Sequence, residues 1–189
     1  DMQPVSAALV AKQIDCVFED IRPDAVKLGM LYDTDIIRAV AERLRAYHAE
    51  NIVLDPVMLS SSGSALLRPD AAKALLDELF PLCALVTPNL QEAAAICGQT
   101  IRSRADMERA AQAIAPLAQG SVLVKGGHLQ DCADDLLFAD GQLHWLPAPR
   151  IDNPNTHGTG CTLSSAIACC LAQGIPLTDS VKRAKRYLT

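Results

Sequence analysis

Ala84-Leu85-Val86-Thr87-Pro88-Asn89-Leu90-Gln91-Glu92-Ala93-Ala94-Ala95-Ile96-Cys97-Gly98 is a short buried-type strand that runs into a helix. The apolar run at 84–87 is stopped by Pro88, which cannot donate to a sheet ladder. A helix near 91–96 follows. Asn89 suits its N-cap, and Glu92 three residues on suits a capping box. The same strand, stop and helix pattern repeats on either side. Ile52-Val53-Leu54 is halted by Asp55-Pro56, and a helix is expected over 69–79 because Pro fits a first helical turn. Val122-Leu123-Val124 runs into Lys125-Gly126-Gly127.

Further out, residues 25–30 read as a strand ending in Gly29-Met30. Asp33-Thr34-Asp35 can cap a helix carrying Ile36, Ile37, Val40, Leu44 and Tyr47 at helical spacing. The opening stretch from Pro4 already reads as helix, and a longer helix is expected over 104–118. Two apolar runs, 136–139 and 143–146, flank Asp140-Gly141, a hairpin signal. A last pair of helices begins near Gly158 and Thr178. Strands alternating with helices predict an α/β, three-layer α/β/α fold with a mainly parallel sheet. One domain over 1–189 is expected. The chain opens and closes inside helical patterns, so segments are expected to be missing at both ends.

The composition narrows the function. Half the residues are hydrophobic, 21% are charged, and the net charge is −5. That charge argues against nucleic acid, which attracts basic patches. No apolar run has the length of a membrane span. Seven cysteines without a CxxC pair do not form a disulfide framework, so a reducing cytoplasm is expected. His48, His128 and His144 have no partner at metal-ligand spacing.

In parallel sheets ligands bind beyond the carboxyl ends of the strands. That rule selects Gly29-Met30, Asp55-Pro56-Val57-Met58, Thr87-Pro88-Asn89, Lys125-Gly126-Gly127 and the glycines near 158. The run Asn155-Thr156-His157-Gly158-Thr159-Gly160-Cys161 precedes a helix of small and apolar residues. Backbone N–H groups at a helix start, unobstructed by Cβ atoms, make an anion site. Cys161 falls in the first turn, where a thiol loses its proton more easily and could serve as a base. The pattern fits a glycine turn capping a core helix equally well, and it is neither GxGxxG nor a Walker A loop. Each other candidate also has a plain reading. Asn89 and Glu92 make a helix cap, Asp55 a turn before Pro56, Val57 and Met58 core, and Lys125-Gly126-Gly127 a β-turn.

The run 155–161, with Thr162-Leu163-Ser164-Ser165-Ala166 after it, resembles the signature of the hydroxymethylpyrimidine/phosphomethylpyrimidine kinases, in the ribokinase-like superfamily. Lys27-Leu28-Gly29-Met30-Leu31, Val53-Leu54-Asp55-Pro56-Val57-Met58, Thr87-Pro88-Asn89-Leu90-Gln91-Glu92 and Lys125-Gly126-Gly127-His128-Leu129 match that family in the same order. The resemblance implies transfer of the ATP γ-phosphoryl group to 4-amino-5-hydroxymethyl-2-methylpyrimidine and then to its monophosphate, in thiamine biosynthesis. It implies catalytic roles for Gly158, Thr159, Gly160 and Cys161, with amides as anion hole and the thiol as base. It implies Asn89, Lys125, Gly126, Gly127 and Thr156 at the nucleotide, and Val57, Met58 and Cys161 at the substrate. Glu92 and Asp55 would serve Mg²⁺, and a homodimer is the implied assembly.

Two departures bear on these expectations. The family's opening glycine-rich segment, with its ring-binding glutamine, has no match. The loop 60–64 reads Ser-Ser-Ser-Gly-Ser where the family has Ala-Lys-Ser-Gly-Asp, losing a cation and an anion. A pyridoxal/pyridoxine kinase, a non-catalytic ligand-binding remnant and a thiol enzyme are the competing readings.

Overall fold

A computed structural model describes residues 3–58, 66–68, 70–127, 133–148 and 158–188. Among them the order is α1 (Ala7–Asp20), β1 (Val26–Leu28), α2 (Thr34–Ala46), β2 (Ile52–Leu54), α3 (Ala71–Ala74), β3 (Leu85–Val86), α4 (Leu90–Cys97), α5 (Arg104–Ile114), β4 (Val122–Val124), β5 (Asp135–Ala139), β6 (Gln142–Leu146), α6 (Thr159–Ala172) and α7 (Leu177–Leu188). The strands form one sheet in the order β1-β2-β3-β4-β5-β6. The first four are parallel; β5 and β6 add antiparallel to the β4 edge.

The sheet is covered on both faces, which explains its nearly unbroken apolar strands. Leu28, Leu54, Val86, Val122 and Val124 pack with α2, α3 and α5 on one side. The crossovers between successive parallel strands leave their helices on one face, as crossovers of a single hand do. Val53, Leu85, Leu123 and Leu137 face the other way, against Leu163, Ile167 and Leu171 of α6 and Val181 and Ala184 of α7. This is the expected three-layer α/β/α arrangement. No helix among the described residues is long and apolar enough to cross a membrane.

Local chemistry sets the element ends. Ser6 and Asp33 cap α1 and α2 through their side chains. Two expected helices extend about as far as expected, but each leaves the regular α form near a proline. After α3 the Phe80 N–H donates to the Leu75 carbonyl across a widened turn, and a tight turn over Phe80–Leu82 ends the segment. Pro81 lacks the N–H that a regular helix would need there. Pro116 has the same effect beyond α5, where Ala115–Leu117 form a tight turn. Residue 69, the expected start of that first helix, lies outside the described residues. The hairpin reading holds: Asp140 and Gly141 both have positive φ between β5 and β6.

Candidate active site

Three strands deliver polar residues to one rim of the sheet. Asp55, Thr87 and Lys125 each follow the last residue of β2, β3 and β4, and their backbones continue the ladders. Asp55 N–H donates to Leu28 O at 3.0 Å, Thr87 N–H to Leu54 O at 2.9 Å, and Lys125 N–H to Pro88 O at 2.9 Å. The parallel register therefore aligns these side chains at the carboxyl ends, where the sequence rule put the site.

Lys125 Nζ donates to Asp55 Oδ1 at 2.6 Å, and Thr87 Oγ donates to the same oxygen at 3.3 Å. Asp55 is 3% exposed, so that ammonium stands where water would otherwise solvate its carboxylate. Next to them Glu92 is also 3% exposed. Its Oε2 accepts the Asn89 N–H at 2.9 Å, while Asn89 Oδ1 accepts the Glu92 N–H at 2.9 Å, a complete capping box on α4. Glu92 does more than cap: its Oε1 accepts the Met58 N–H at 3.2 Å, tying α4 to the segment after β2. Burial pushes the Glu92 carboxyl above its ordinary value, and the like charge of Asp55 adds to that. The N–H groups of Asn89 and Met58 and the Lys125 ammonium pull the other way.

The fourth component is α6. Gly158, at φ 80°, precedes its first residue and carries no capping side chain. First-turn amides of a helix have no intrahelical acceptor, and the helix dipole is positive at this end. Gly160 brings this end against the sheet. A Cβ on Gly160 would stand 3.2 Å from Lys125 Nζ and 3.3 Å from Asp55 Oδ2. Cys161, one residue on, is exposed. A groove of about 550 Å³ starts at Cys161 and follows the outer side of α6 and α7, lined by Thr162, Ser165, Cys169, Arg183 and Tyr187.

Asp55, Lys125 and Gly160 thus meet, with Glu92, Asn89 and Met58 in an adjoining hydrogen-bonded set. Gly126 is buried and Gly127 exposed after Lys125; Val57 is half-buried beside Met58. Thr156, Asn155, His128 and the loop 60–64 lie outside the described residues. The sequence reading assigned no role to three further residues. Thr87 lay inside a selected strand end, so the rule that found Asp55 and Lys125 pointed to it. Asp135 Oδ1 accepts the Gly126 N–H at 2.8 Å, and Asp135 Oδ2 accepts from Lys185 Nζ at 2.5 Å. That contact spans 50 residues and has no local sequence signal.

Two buried carboxyl groups beside one ammonium bring hard oxygen donors to this rim. Among the described residues no group of three or more His, Cys, Asp or Glu could enclose a metal. Such a donor set fits Mg²⁺, which keeps much of its water and is commonly held by one or two carboxylates together with substrate phosphates.

Residues 1–189 match the family model described as phosphomethylpyrimidine kinase. The chain is 50% identical over 189 residues to hydroxymethylpyrimidine/phosphomethylpyrimidine kinase of Rhizobium meliloti, covering 99% of this chain and 71% of that protein. It is 46% identical over 182 residues to the Escherichia coli enzyme of the same name, covering 95% of this chain and 68% of that one. Among solved structures, phosphomethylpyrimidine kinase from Clostridium difficile superposes with a TM-score of 0.87 at 39% identity, over 98% of this chain and 76% of its own. An ADP complex of Bacillus subtilis pyridoxal kinase gives 0.90 at 33% identity, over 99% and 70%.

Proposed function

This chain belongs to the phosphomethylpyrimidine kinase family, and from that premise we propose that it phosphorylates 4-amino-5-hydroxymethyl-2-methylpyrimidine, and then its monophosphate, with ATP in thiamine biosynthesis. The observation that carries the reading is the meeting of Lys125, Asp55 and the start of α6 at Gly160. Phosphoryl transfer asks a protein chiefly for positioning and for positive potential around the moving group. A helix N-terminus and an ammonium converging on one point supply both.

In this reading Cys161 takes the proton of the substrate hydroxyl. The new bond forms between that oxygen and the γ-phosphorus, the bond to the ADP oxygen breaks, and ADP leaves. The amides from Gly158 to Cys161 hold the equatorial oxygens. Lys125, Gly126, Gly127, Asn89 and Thr156 line the nucleotide phosphates, and Val57 and Met58 contact the pyrimidine. Glu92 and Asp55 would hold Mg²⁺, which when bound would neutralise charge on the phosphates. A reducing, cytoplasmic setting belongs to the same reading.

Pyridoxal kinase is the second reading, favoured by the superposition on the Bacillus subtilis pyridoxal kinase. The higher identity to the pyrimidine kinases ranks it second. Side-by-side ATP turnover of the full-length protein on the pyrimidine alcohol and on pyridoxal decides between them. Faster pyridoxal turnover reverses the ranking. Pyrimidine binding without any turnover points instead to a ligand-binding remnant.

A further inference from the structure

We propose that Asp135 and Lys185 are a positioning pair that sets the Lys125-Gly126-Gly127 turn against the nucleotide phosphates, a role that rests on the kinase reading above. The turn is fixed at each of its first two amides. Lys125 N–H donates to Pro88 O at 2.9 Å, and Gly126 N–H donates to Asp135 Oδ1 at 2.8 Å. It is also pressed against the residue that precedes β5. A Cβ on Gly126 would stand 1.8 Å from the Asp134 carbonyl oxygen, so only glycine fits. The direction in which Lys125 leaves the sheet, toward Asp55 and Gly160, follows from these contacts.

Asp135 can do this only if its charge is answered. Its side chain is 13% exposed and lies behind a turn read as lining phosphate, where a bare carboxylate would repel the ligand. Lys185 supplies the cation at 2.5 Å and is itself 13% exposed. Lys185 belongs to α7, which packs on α6 and touches β5. The phosphate site has one half on the sheet, at Lys125, and the other on the helical layer, at the start of α6. The Lys185–Asp135 pair ties these two layers at the height of the turn. Neither residue reaches the reacting atoms, so both act through the turn.

The test uses the full-length protein and reads the KM for ATP, the KM for the pyrimidine, and ADP affinity by calorimetry. Lys185→Met leaves Asp135 unanswered, so the KM for ATP and the Kd for ADP are expected to rise about tenfold while the KM for the pyrimidine stays put. Lys185→Arg is expected to stay within about threefold of the wild type, because it restores the charge. The double variant D135N/K185M is expected to recover most of the loss, since Asn keeps an acceptor for the Gly126 N–H and no charge remains. If K185M fails to fold, D135N/K185M against D135A/K185M carries the test, because only the former retains that acceptor. Weaker ATP and ADP binding is expected in the alanine variant, and equal binding overturns the proposal. A lowered melting temperature in K185M with unchanged nucleotide constants overturns it as well. ADP affinity needs no turnover. The expected order of ADP affinities in a protein without pyrimidine kinase activity therefore upholds the pair and counts against the assigned reaction alone.

Discussion

Lys125 Nζ lies 2.6 Å from Asp55 Oδ1, joining the carboxyl ends of β4 and β2 across 70 residues of sequence. Their side chains are 17% and 5% exposed, so the pair is largely withdrawn from water. An ion pair in such a place gives little net stability, because desolvation offsets the attraction. Gly160 is packed against both partners. A pair that contributes little to folding, and that sits under the start of α6, is better explained by where it puts a positive charge.

Separating the two roles is straightforward. Lys125→Met strands the Asp55 carboxylate, and the loss should be on the order of 3 kcal/mol by urea unfolding. Adding Asp55→Asn removes the stranded charge and should return most of that stability. Activity should not return with it, since the ammonium is still missing. Recovery of full turnover in D55N/K125M would show that Lys125 serves folding alone.

Gly160→Ala places a methyl group 3.2 Å from Lys125 Nζ and 3.3 Å from Asp55 Oδ2. Both neighbours are ends of side chains that can shift, so the melting temperature should change little. The shift moves the ammonium and the carboxylate relative to the start of α6. Misplacement of this kind costs on the order of tenfold to a hundredfold in kcat. Steady-state kinetics beside a thermal melt would check both halves; unaltered kcat would mean that the contact is incidental.

Cys161→Ala removes the proposed base, and kcat should fall by about 10²- to 10⁴-fold with the fold intact. Cys161→Asp should retain measurable turnover, since a carboxylate can also take a proton. A thiol acting as covalent nucleophile predicts complete loss in both. Initial rates of the two variants at saturating ATP separate these outcomes.

The fold was legible because its signals are local and repeated. The runs at Val53, Val86 and Leu123 each end at a polar or proline stop, and a parallel sheet places such stops on one rim. The same register made Asp55 and Lys125 legible as occupants of one rim of the sheet. Their pairing was not, because a strand end reveals its position and not the direction of its side chain. The double duty of Glu92 was half legible: the cap follows from spacing, whereas its bond to the Met58 N–H depends on how the segment after β2 folds back. Asp135 and Lys185 left no trace in the sequence, since no periodicity links a strand's first residue to a helix 50 residues later. The prolines at 81 and 116 were visible, but their effect on the preceding turns depends on which carbonyls they leave without a donor.

Glu92 gives a signed pH dependence. Its folded-state pKa is raised from 4.5, chiefly by burial. The unfolded chain therefore releases this proton at lower pH than the folded one. The contribution to stability is most favourable below 4.5 and declines as pH rises through the higher folded-state value. Glu92→Gln has no titrating carboxyl at this position. Urea unfolding from pH 4.5 upward should show the wild type losing stability relative to Glu92→Gln as pH rises. A constant difference between the two curves would mean that the buried carboxyl does not titrate differently in the folded protein.

Thiol chemistry offers a test that is independent of activity. Cys83 is buried behind the tight turn at Phe80–Leu82, its Sγ–H donates to the Leu79 carbonyl at 3.1 Å, and burial pushes the thiol up to about 12. At pH 8 that leaves a thiolate fraction of about 10⁻⁴, and the thiolate is the species that alkylates. Cys16 and Cys169 are exposed. Iodoacetamide at pH 8 should therefore modify Cys16 and Cys169 in the native protein and spare Cys83, with Cys83 becoming reactive only in urea. Peptide mass mapping reads each site separately. Native labelling of Cys83 at the rate of Cys169 would mean that the segment from Leu75 to Leu82 opens readily, and that its widened turn is not held by the core.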